Sequence, residues 1–439
     1  MPILKCKKAS DWHFLKKKSK IPYYMISIQL IRTEPDKVKD GIAKKNYDPT
    51  VVDAVLEADK LRLDLLQKVE DLRKARNEIS KKPTPEEIAK AKQIKEELQQ
   101  LEPQLEEAEV KFKSLLLEIP NLPAEDAPVG KSEDENVERE IVGEIPQFSF
   151  EPKDHVDLSK ALDIIDFEAG AKVSGSGFYY LKNEGAMLEI AVVNYAMQFL
   201  HSRGFTPMIT PDMAREKYYL GTGYLPKGEE AQTYKIEGSD QGLIATSEVT
   251  LAGYHADEIL NDAELPKKYG GYSHCFRMES GAYGKYSKGL YRVHQFSKVE
   301  MFVYTKAEDS AAMHQELLKI EKEFWQSLGV PFRVLEMCTA DLGSQAVKKY
   351  DLEAWMPGRG DWGEITSTSN TTDYQSRNLN IRYKSDKGTE YAHTLNGTLI
   401  ATSRGVLSLI ELGQREDGSI KIPDVLVPYT GFSEIKSKK

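Results

Sequence analysis

Cysteine is nearly missing from this chain of 439 residues. Cys6, Cys275 and Cys338 are odd in number, far apart and in no CxxC pair. A disulfide framework and a zinc knuckle are thereby excluded, and a reducing, cytoplasmic setting fits best. Long apolar runs are missing too. The longest, residues 187–200, is interrupted by Glu189 and Asn194 and falls short of the ~20 residues that a membrane span requires, so no membrane protein is implied. Nothing matches GxxxxGK[ST], and no GxGxxG follows a strand; a bound nucleotide must be held by other means than a P-loop or a dinucleotide fold. Nor is there a surplus of positive charge. The 60 Lys and Arg face 69 Asp and Glu, a net charge of −9, which argues against broad coating of nucleic acid yet leaves room for a local basic surface.

What is present is ample core material: 40% hydrophobic, 9% aromatic and 29% charged residues suit a globular chain of roughly two or three domains. The first 24 residues carry seven Lys and one Asp and read as a disordered tail or the product of an upstream start codon, with Met25 as the natural beginning. The apolar run 21–31 is followed by no small-residue cleavage site, so it is not a signal peptide. Residues 27–31 read as a short strand, with Thr33 capping a helix that has Pro35 near its start.

Residues 51–79 and 86–119 contain no glycine and are rich in Leu, Glu, Lys and Arg, which predicts two long helices. Ile94, Leu98, Leu101, Leu105, Ala108, Phe112, Leu115 and Ile119 recur at three- and four-residue steps, the heptad seam of a coiled coil. Leu65, Val69, Leu72 and Ile79 supply the matching stripe. Between the helices Thr84, Pro85 and Glu87 form a capping box, so the pair is an antiparallel hairpin, its first helix roughly 40 Å long at 1.5 Å per residue. Pro103 is expected to kink the second helix. Residues 73–95 hold eight bases (Arg73, Lys74, Arg76, Lys81, Lys82, Lys90, Lys92, Lys95) against three Glu, whereas residues 96–109 hold six Glu and no base. A solvated coiled-coil face is the plain explanation; the functional one is a lever whose basic tip lies on a phosphate backbone.

Residues 124–144 form a polar, acidic linker. Beyond it, helices such as 187–201 alternate with β-like segments such as 272–277 and 291–304, without a regular βαβ repeat, which predicts an α+β domain on a largely antiparallel sheet. Within it the stretch FRMESGAYGKYSKGLYRVHQFSKVE (276–300) reads as strand, loop, strand. Alternation places Arg277 and Glu279 on one face of the first strand, and His294, Phe296, Lys298 and Glu300 on one face of the second. A cation, a ring and carboxylates thus share a surface.

That stretch resembles motif 2 of the class II aminoacyl-tRNA synthetases, in the form found in seryl-tRNA synthetases. GFTPMITP (204–211) resembles motif 1, which builds the family's dimer interface. GTGYLP (221–226) and Thr246-Ser247-Glu248 resemble the family's GTGQLP and TAE segments, EITSTSN (364–370) its EVSSCSN, and HTLNGT (393–398) with Arg404 its motif 3. The resemblance runs from residue 25 to about residue 429, the arm included. It implies a tail at 1–24, an N-terminal tRNA-binding domain at 25–135 with the arm at about 50–119 and the linker, and a catalytic domain at 136–439. The implied fold is a class II antiparallel sheet flanked by helices.

The resemblance also implies roles. Arg277 bridges the ATP α-phosphate and the amino-acid carboxylate, Phe296 stacks on adenine, Glu279 contacts its amino group, Val293 borders the nucleotide, and Arg404 lies by the terminal phosphates. Glu364 and Ser367 contact the nucleotide and its Mg²⁺. Thr246 and Glu248 hold the α-amino group of L-serine, and Glu300, Asn396 and Thr398 line its side-chain pocket. Arg277, Arg404 and Glu364 carry catalysis. Arg73, Lys74, Arg76, Lys81, Lys82, Lys90 and Lys92 meet tRNA(Ser), and the family suggests tRNA(Sec) as a second acceptor. A cytoplasmic homodimer without zinc, the arm of one subunit gripping tRNA bound across the dimer, completes the expectation. Departures fall at Lys285 and Lys288, where arginines are usual, at Met278 for Ser, at Tyr224 for Gln and at Ser247 for Ala. Two other readings compete: a ligase that loads a carrier protein, whose relatives lack the arm, and an inactive synthetase-like RNA-binding protein, which would usually lose motif residues kept here.

Overall fold

The computed structural model describes residues 26–79, 83–224, 233–279, 288–386 and 388–436, divided into two compact units, one ending at Pro123 and the other running from Ala124. The tail at 1–24, Met25, Lys81 and Lys82 of the arm tip, Leu225 and Pro226, and the motif 2 loop with Lys285 lie outside the described residues.

Among its described residues the N-terminal unit holds four helices, α1 (Ile28–Thr33), α2 (Pro35–Lys44), α3 (Thr50–Asn77) and α4 (Pro85–Leu116). The segment expected as a strand at 27–31 is instead helical. Its Ile28, Leu30 and Ile31 pack on the helical core at the root of the hairpin, and a run this short carries no period that separates strand from helix. Thr33 is not the cap of the next helix: Glu34 occupies that position, and the Thr33 hydroxyl donates to the Gln29 carbonyl at 3.0 Å, back along α1. α3 and α4 form the antiparallel pair. At the start of α4 the Thr84 hydroxyl accepts from Glu87 N and the Glu87 side chain accepts from Thr84 N, the reciprocal cap expected from the sequence. The seam buries Leu65, Val69, Ile94, Leu98, Leu105 and Ala108. Exposed Pro103 sits inside a continuous α4.

Near the root, Asp59 is 3% exposed and receives Arg32 Nε at 2.7 Å and Arg62 Nη2 at 2.7 Å, while Arg62 also lies over the Phe112 ring. Asp59→Ala strands both guanidinium groups and should lower the stability of this unit by about 2–3 kcal/mol. An earlier loss of helical circular dichroism on heating would register it; an unchanged transition would count against it.

The second unit is built on an eight-stranded sheet: β1 (Val137–Val142), β2 (Thr206–Ile209), β3 (Lys267–Phe276), β4 (Gln295–Thr305), β5 (Phe332–Glu336), β6 (Lys348–Met356), β7 (Asp361–Thr372) and β8 (His393–Ala401). The order is β1-β5-β6-β7-β8-β4-β3-β2, antiparallel throughout except for the β2–β3 pair. This is the α+β class II arrangement expected. Residues 137–142 of the expected linker form the edge strand β1, and Ala127 packs against Leu335, Met337 and Leu342. Helices α5 (Asn183–His201), α8 (Ser310–Ser327) and α10 (Thr402–Leu412) cover one face, and the shorter α6 (Glu216–Thr222), α7 (Glu248–Gly253) and α9 (Tyr374–Leu379) cluster around the site described below.

Alternation along β4 divides its side chains. Val299, Met301 and Val303 enter the main core, so Phe296, Lys298 and Glu300 project from the opposite face. Two bulges reset this count in the neighbouring strands. Between β6 and β7, Leu352 pairs with Thr366 and Glu353 with Glu364, so Ile365 is the extra residue; Glu364 and Ser367, three apart, therefore share a face. Between β8 and β4, Thr398 pairs with Glu300 and Ile400 with Val299, leaving Leu399 extra.

Candidate active site

The face of β4 that carries Phe296 opens into a cleft lined by Arg277, Glu279, Val293, Phe296, Glu364, Thr398 and Arg404. Two expectations on how they get there need correction. β3 ends at Phe276 and β4 begins only at Gln295, so Arg277 and Glu279 are not strand neighbours on one face. Glu279 has φ +44°, which breaks the alternation, and its carboxylate meets Arg292 at 3.1 Å. His294 also precedes the strand; its Nδ1 donates to the Arg277 carbonyl at 2.9 Å and its ring packs on Phe178. It thereby pins the backbone of Arg277, whose guanidinium carbon lies 5.3 Å from the Phe296 ring centre.

Across the cleft, Arg404 at the start of α10 pairs with the Glu364 carboxylate at 3.1 Å, donates to the Glu364 carbonyl at 3.0 Å and lies over the Tyr291 ring. Desolvation would raise the Glu364 carboxyl, but Arg404, with Lys349 and Arg277 behind it, outweighs that and holds it below the usual carboxylate range. Ser367 shares the Glu364 face and bonds to Asp351 on β6. Among the described residues no group of three or more His, Cys, Asp or Glu could by itself hold a metal ion. Glu364 and Ser367 offer hard oxygen donors, which fits an ion that arrives on phosphates and keeps part of its water shell.

Thr398 links this cleft to a buried cluster of polar side chains at its inner end, the inner pocket. Its hydroxyl donates to Glu300 Oε2 at 3.3 Å and receives Lys298 Nζ at 3.3 Å; Lys298 and Glu300 are themselves ion-paired. Facing them is Glu248, at the start of α7. Close approach of α7 to β3 makes this possible, because a Cβ on Gly271 would fall 2.7 Å from Leu251 Cδ1. Glu248 receives Gln375 Nε2 at 2.6 Å, Asn396 Nδ2 at 2.8 Å and the Tyr224 hydroxyl at 3.0 Å. Thr246 is buried beside it, its hydroxyl accepting from Glu248 N.

Burial, and then the neighbouring Glu300, push the Glu248 carboxyl up to about 7. The pocket thus holds two carboxylates and one lysine, a balance that favours a cationic guest. Two buried acceptors, Glu300 Oε1 and Asn396 Oδ1, meet no hydrogen-bond partner among the described residues. Buried acceptors are seldom left so.

Of the residues expected at the site, Arg277, Glu279, Val293, Phe296, Glu364, Thr398 and Arg404 line the cleft, Thr246, Glu248, Glu300 and Asn396 lie in the buried cluster, and Ser367 shares the Glu364 face of the sheet. Sequence reasoning missed Lys298 as the partner of Glu300, Gln375 and Tyr224 as donors to Glu248, and Tyr291 as the platform for Arg404. Gln375 sits in no recognisable pattern, Tyr291 lies within the motif 2 stretch with no role attached to it, and Tyr224 stood out only as a departure. On the arm, Lys74, Arg76, Lys90 and Lys92 are exposed, whereas Arg73 is paired with Glu102 on α4 at 2.8 Å.

Comparison with known proteins agrees with this architecture. Residues 25–123 match the seryl-tRNA synthetase N-terminal domain, and residues 233–412 match the tRNA synthetase class II core domain of the G, H, P, S and T group. The serine–tRNA ligase of Treponema denticola is 50% identical over 422 residues, spanning 94% of this chain and all of that protein; that of Dictyoglomus turgidum is 49% identical over 425 residues, with 94% and 100% covered. Among solved structures, the seryl-tRNA synthetase of Pyrococcus horikoshii complexed with ATP superposes with a TM-score of 0.86 at 40% identity, covering 94% of this chain and 100% of the other. The cytoplasmic serine–tRNA ligase of Naegleria fowleri in complex with AMP gives 0.82 at 34%, with 94% and 99% covered. Shared along nearly its whole length with these enzymes, in both of its units, the chain belongs to the seryl-tRNA synthetase family.

Proposed function

We propose that the cleft and its inner pocket join L-serine to ATP, forming seryl-adenylate and pyrophosphate, and then pass the seryl group to the 3′ end of tRNA(Ser). The observation that carries this reading is the pair of unpartnered buried acceptors, Glu300 Oε1 and Asn396 Oδ1, behind a carboxylate-rich pocket. A serine side chain brings one hydroxyl donor and its ammonium brings three, a set that fits this lining.

In this reading Glu248, with Thr246, takes the α-ammonium, and Glu300, Asn396 and Thr398 take the hydroxyl. Arg277 stands at the junction of pocket and cleft, where its fork suits the serine carboxylate and the α-phosphate together. Phe296 supports adenine, Glu279 and Val293 border it, and Arg404 meets the outer phosphates. Glu364 and Ser367 would hold Mg²⁺, which neutralises phosphate charge when bound. No protein nucleophile is required. The serine carboxylate attacks the α-phosphorus and pyrophosphate leaves, while the chain positions both reactants and stabilises charge.

The carrier-protein and inactive readings are not favoured, since the chain keeps both the arm and the cleft residues. A homodimer is supported by apolar side chains left bare around motif 1, with Ile209 82% and Ile190 61% exposed. A cytoplasmic location and charging of tRNA(Sec) belong to the same proposal. Among the described residues no helix is long and apolar enough to cross a membrane.

The test is pyrophosphate exchange into ATP with each amino acid in turn, followed by charging of total tRNA. Exchange with serine alone, accompanied by charging, is expected. Exchange without charging would favour the carrier-protein ligase, and none with any amino acid would favour a binding protein. For the arm, Lys90→Glu with Lys92→Glu should weaken tRNA binding and flatten its salt dependence by roughly one unit of log–log slope for each phosphate no longer neutralised, with exchange unchanged. Equal loss in both assays would refute a tRNA-specific role.

A further inference from the structure

We propose that Tyr224 is a positioning residue for amino-acid recognition: its hydroxyl fixes the Glu248 carboxylate in the pocket and keeps it anionic for the substrate ammonium group. The inference rests on the reading that Glu248 receives that ammonium.

Tyr224 enters the pocket by a backbone device. Gly223, at φ +89°, ends α6 in the left-handed conformation, and the next residue turns inward, so that its hydroxyl donates to Glu248 Oε2 at 3.0 Å. The same oxygen receives Asn396 from β8, and Oε1 receives Gln375 from α9. Three donors from three elements thus hold one carboxylate. The charged groups around it are Glu300 and Lys298 on β4, with Arg277 acting on the Tyr224 hydroxyl. Burial and Glu300 work against the anion; Gln375, Lys298 and Tyr224 work for it. The phenol itself is driven well above its ordinary range by burial and by Glu248, so it stays a donor at every working pH.

The balance lies at about 7, so losing one donor has a visible effect with a definite sign. A donor to a carboxylate favours its ionised form. Without the hydroxyl the folded-state pKa of Glu248 rises, a larger share is protonated at neutral pH, and attraction for an ammonium ion is lost at a higher pH than in the parent protein.

Serine-dependent pyrophosphate exchange should be followed from pH 6 to 9 in the full chain and in Tyr224→Phe, Tyr224→Gln and Glu248→Gln. Tyr224→Phe, which preserves the ring, should raise KM for serine about tenfold near neutrality, leave KM for ATP unchanged and move the acid limb of kcat/KM to higher pH. Tyr224→Gln restores an amide donor and should return the limb toward the parent value. Calorimetric titration with L-serine in two buffers of different ionisation heat supplies a readout without turnover: Tyr224→Phe should release more protons on binding at pH 7. An acid limb and a proton release equal to the parent's would overturn the proposal, as would a rise in KM that is the same at every pH, which is the signature of packing alone. Glu248→Gln with unchanged serine affinity would instead sink the reading of Glu248 as the ammonium partner.

Discussion

Arg277→Ala abolishes serine-dependent pyrophosphate exchange, with an expected fall in kcat/KM of about 10³-fold or more. The expectation rests on where the guanidinium stands and on what else is occupied. Arg404 is committed to Glu364 and Tyr291 and Lys298 to Glu300, whereas among the described residues no carboxylate pairs with Arg277. It lies over Phe296 with its backbone fixed through His294, at the junction where a carboxylate and an α-phosphate would meet. Two anions must come together there before a bond can form between them, and a planar, permanently charged fork neutralises both at once. Arg277→Lys keeps the charge without the fork and should recover only part of the rate. Exchange assays on both variants, beside thermal unfolding curves that match the parent, decide the matter; an alanine variant within tenfold of the parent would remove Arg277 from the mechanism.

Glu300→Ala is expected to lower kcat/KM for serine by about 10²–10³-fold and to erase most of the preference for serine over alanine. In the proposed pocket alanine would leave Glu300 Oε1, already without a partner among the described residues, buried and unsatisfied, a penalty that serine avoids. Removing the carboxylate removes that penalty, so alanine gains relative to serine even as both lose absolute rate. The change also strands Lys298, which is 5% exposed, and Glu300→Gln guards against a folding defect because it keeps the side-chain volume. Competition between the two amino acids in the exchange reaction gives the ratio directly. A serine-to-alanine ratio that survives in Glu300→Ala would place discrimination elsewhere in the pocket.

Much of this architecture could be read from the residues, and the failures have identifiable causes. The arm was legible because its signals are local and periodic: a heptad seam, an absence of glycine and a Thr84–Glu87 cap all agree. The stretch at 27–31 was misread because five residues hold less than two helical turns, and tertiary packing decided the outcome. Around motif 2, simple alternation brought Arg277 and Phe296 to one surface but by the wrong route, since the strand stops at Phe276 and Glu279 takes a positive φ. The shared face of Glu364 and Ser367 was invisible, because a bulge leaves no mark in the sequence. Likewise Tyr224, Gln375 and Glu248 come from three separate elements, and nothing in their spacing announces that they meet.

The bulges at Ile365 and Leu399 tie the chemistry to chain length. A β-strand assigns its faces by counting, so deletion of one residue turns every side chain beyond that point to the other side. At a bulge the outcome differs: loss of Ile365 would restore plain alternation, leaving Glu364 two residues from Ser367 and still on its face, at the cost of a side chain buried in the main core. Loss of Leu399 would likewise leave Thr398 two residues from Ala401 and facing the same way, whereas a residue lost from a regular stretch of either strand would reverse the faces beyond it. Both extra residues are themselves buried in the main core, where their hydrophobic bulk, rather than any reactive group, is all that is asked of them. These two strands can therefore lose a residue at the bulge without moving the site to the other side of the sheet, while their regular stretches are closed to single-residue insertions and deletions, a constraint on lineage that acts on the number of residues and not on their kind.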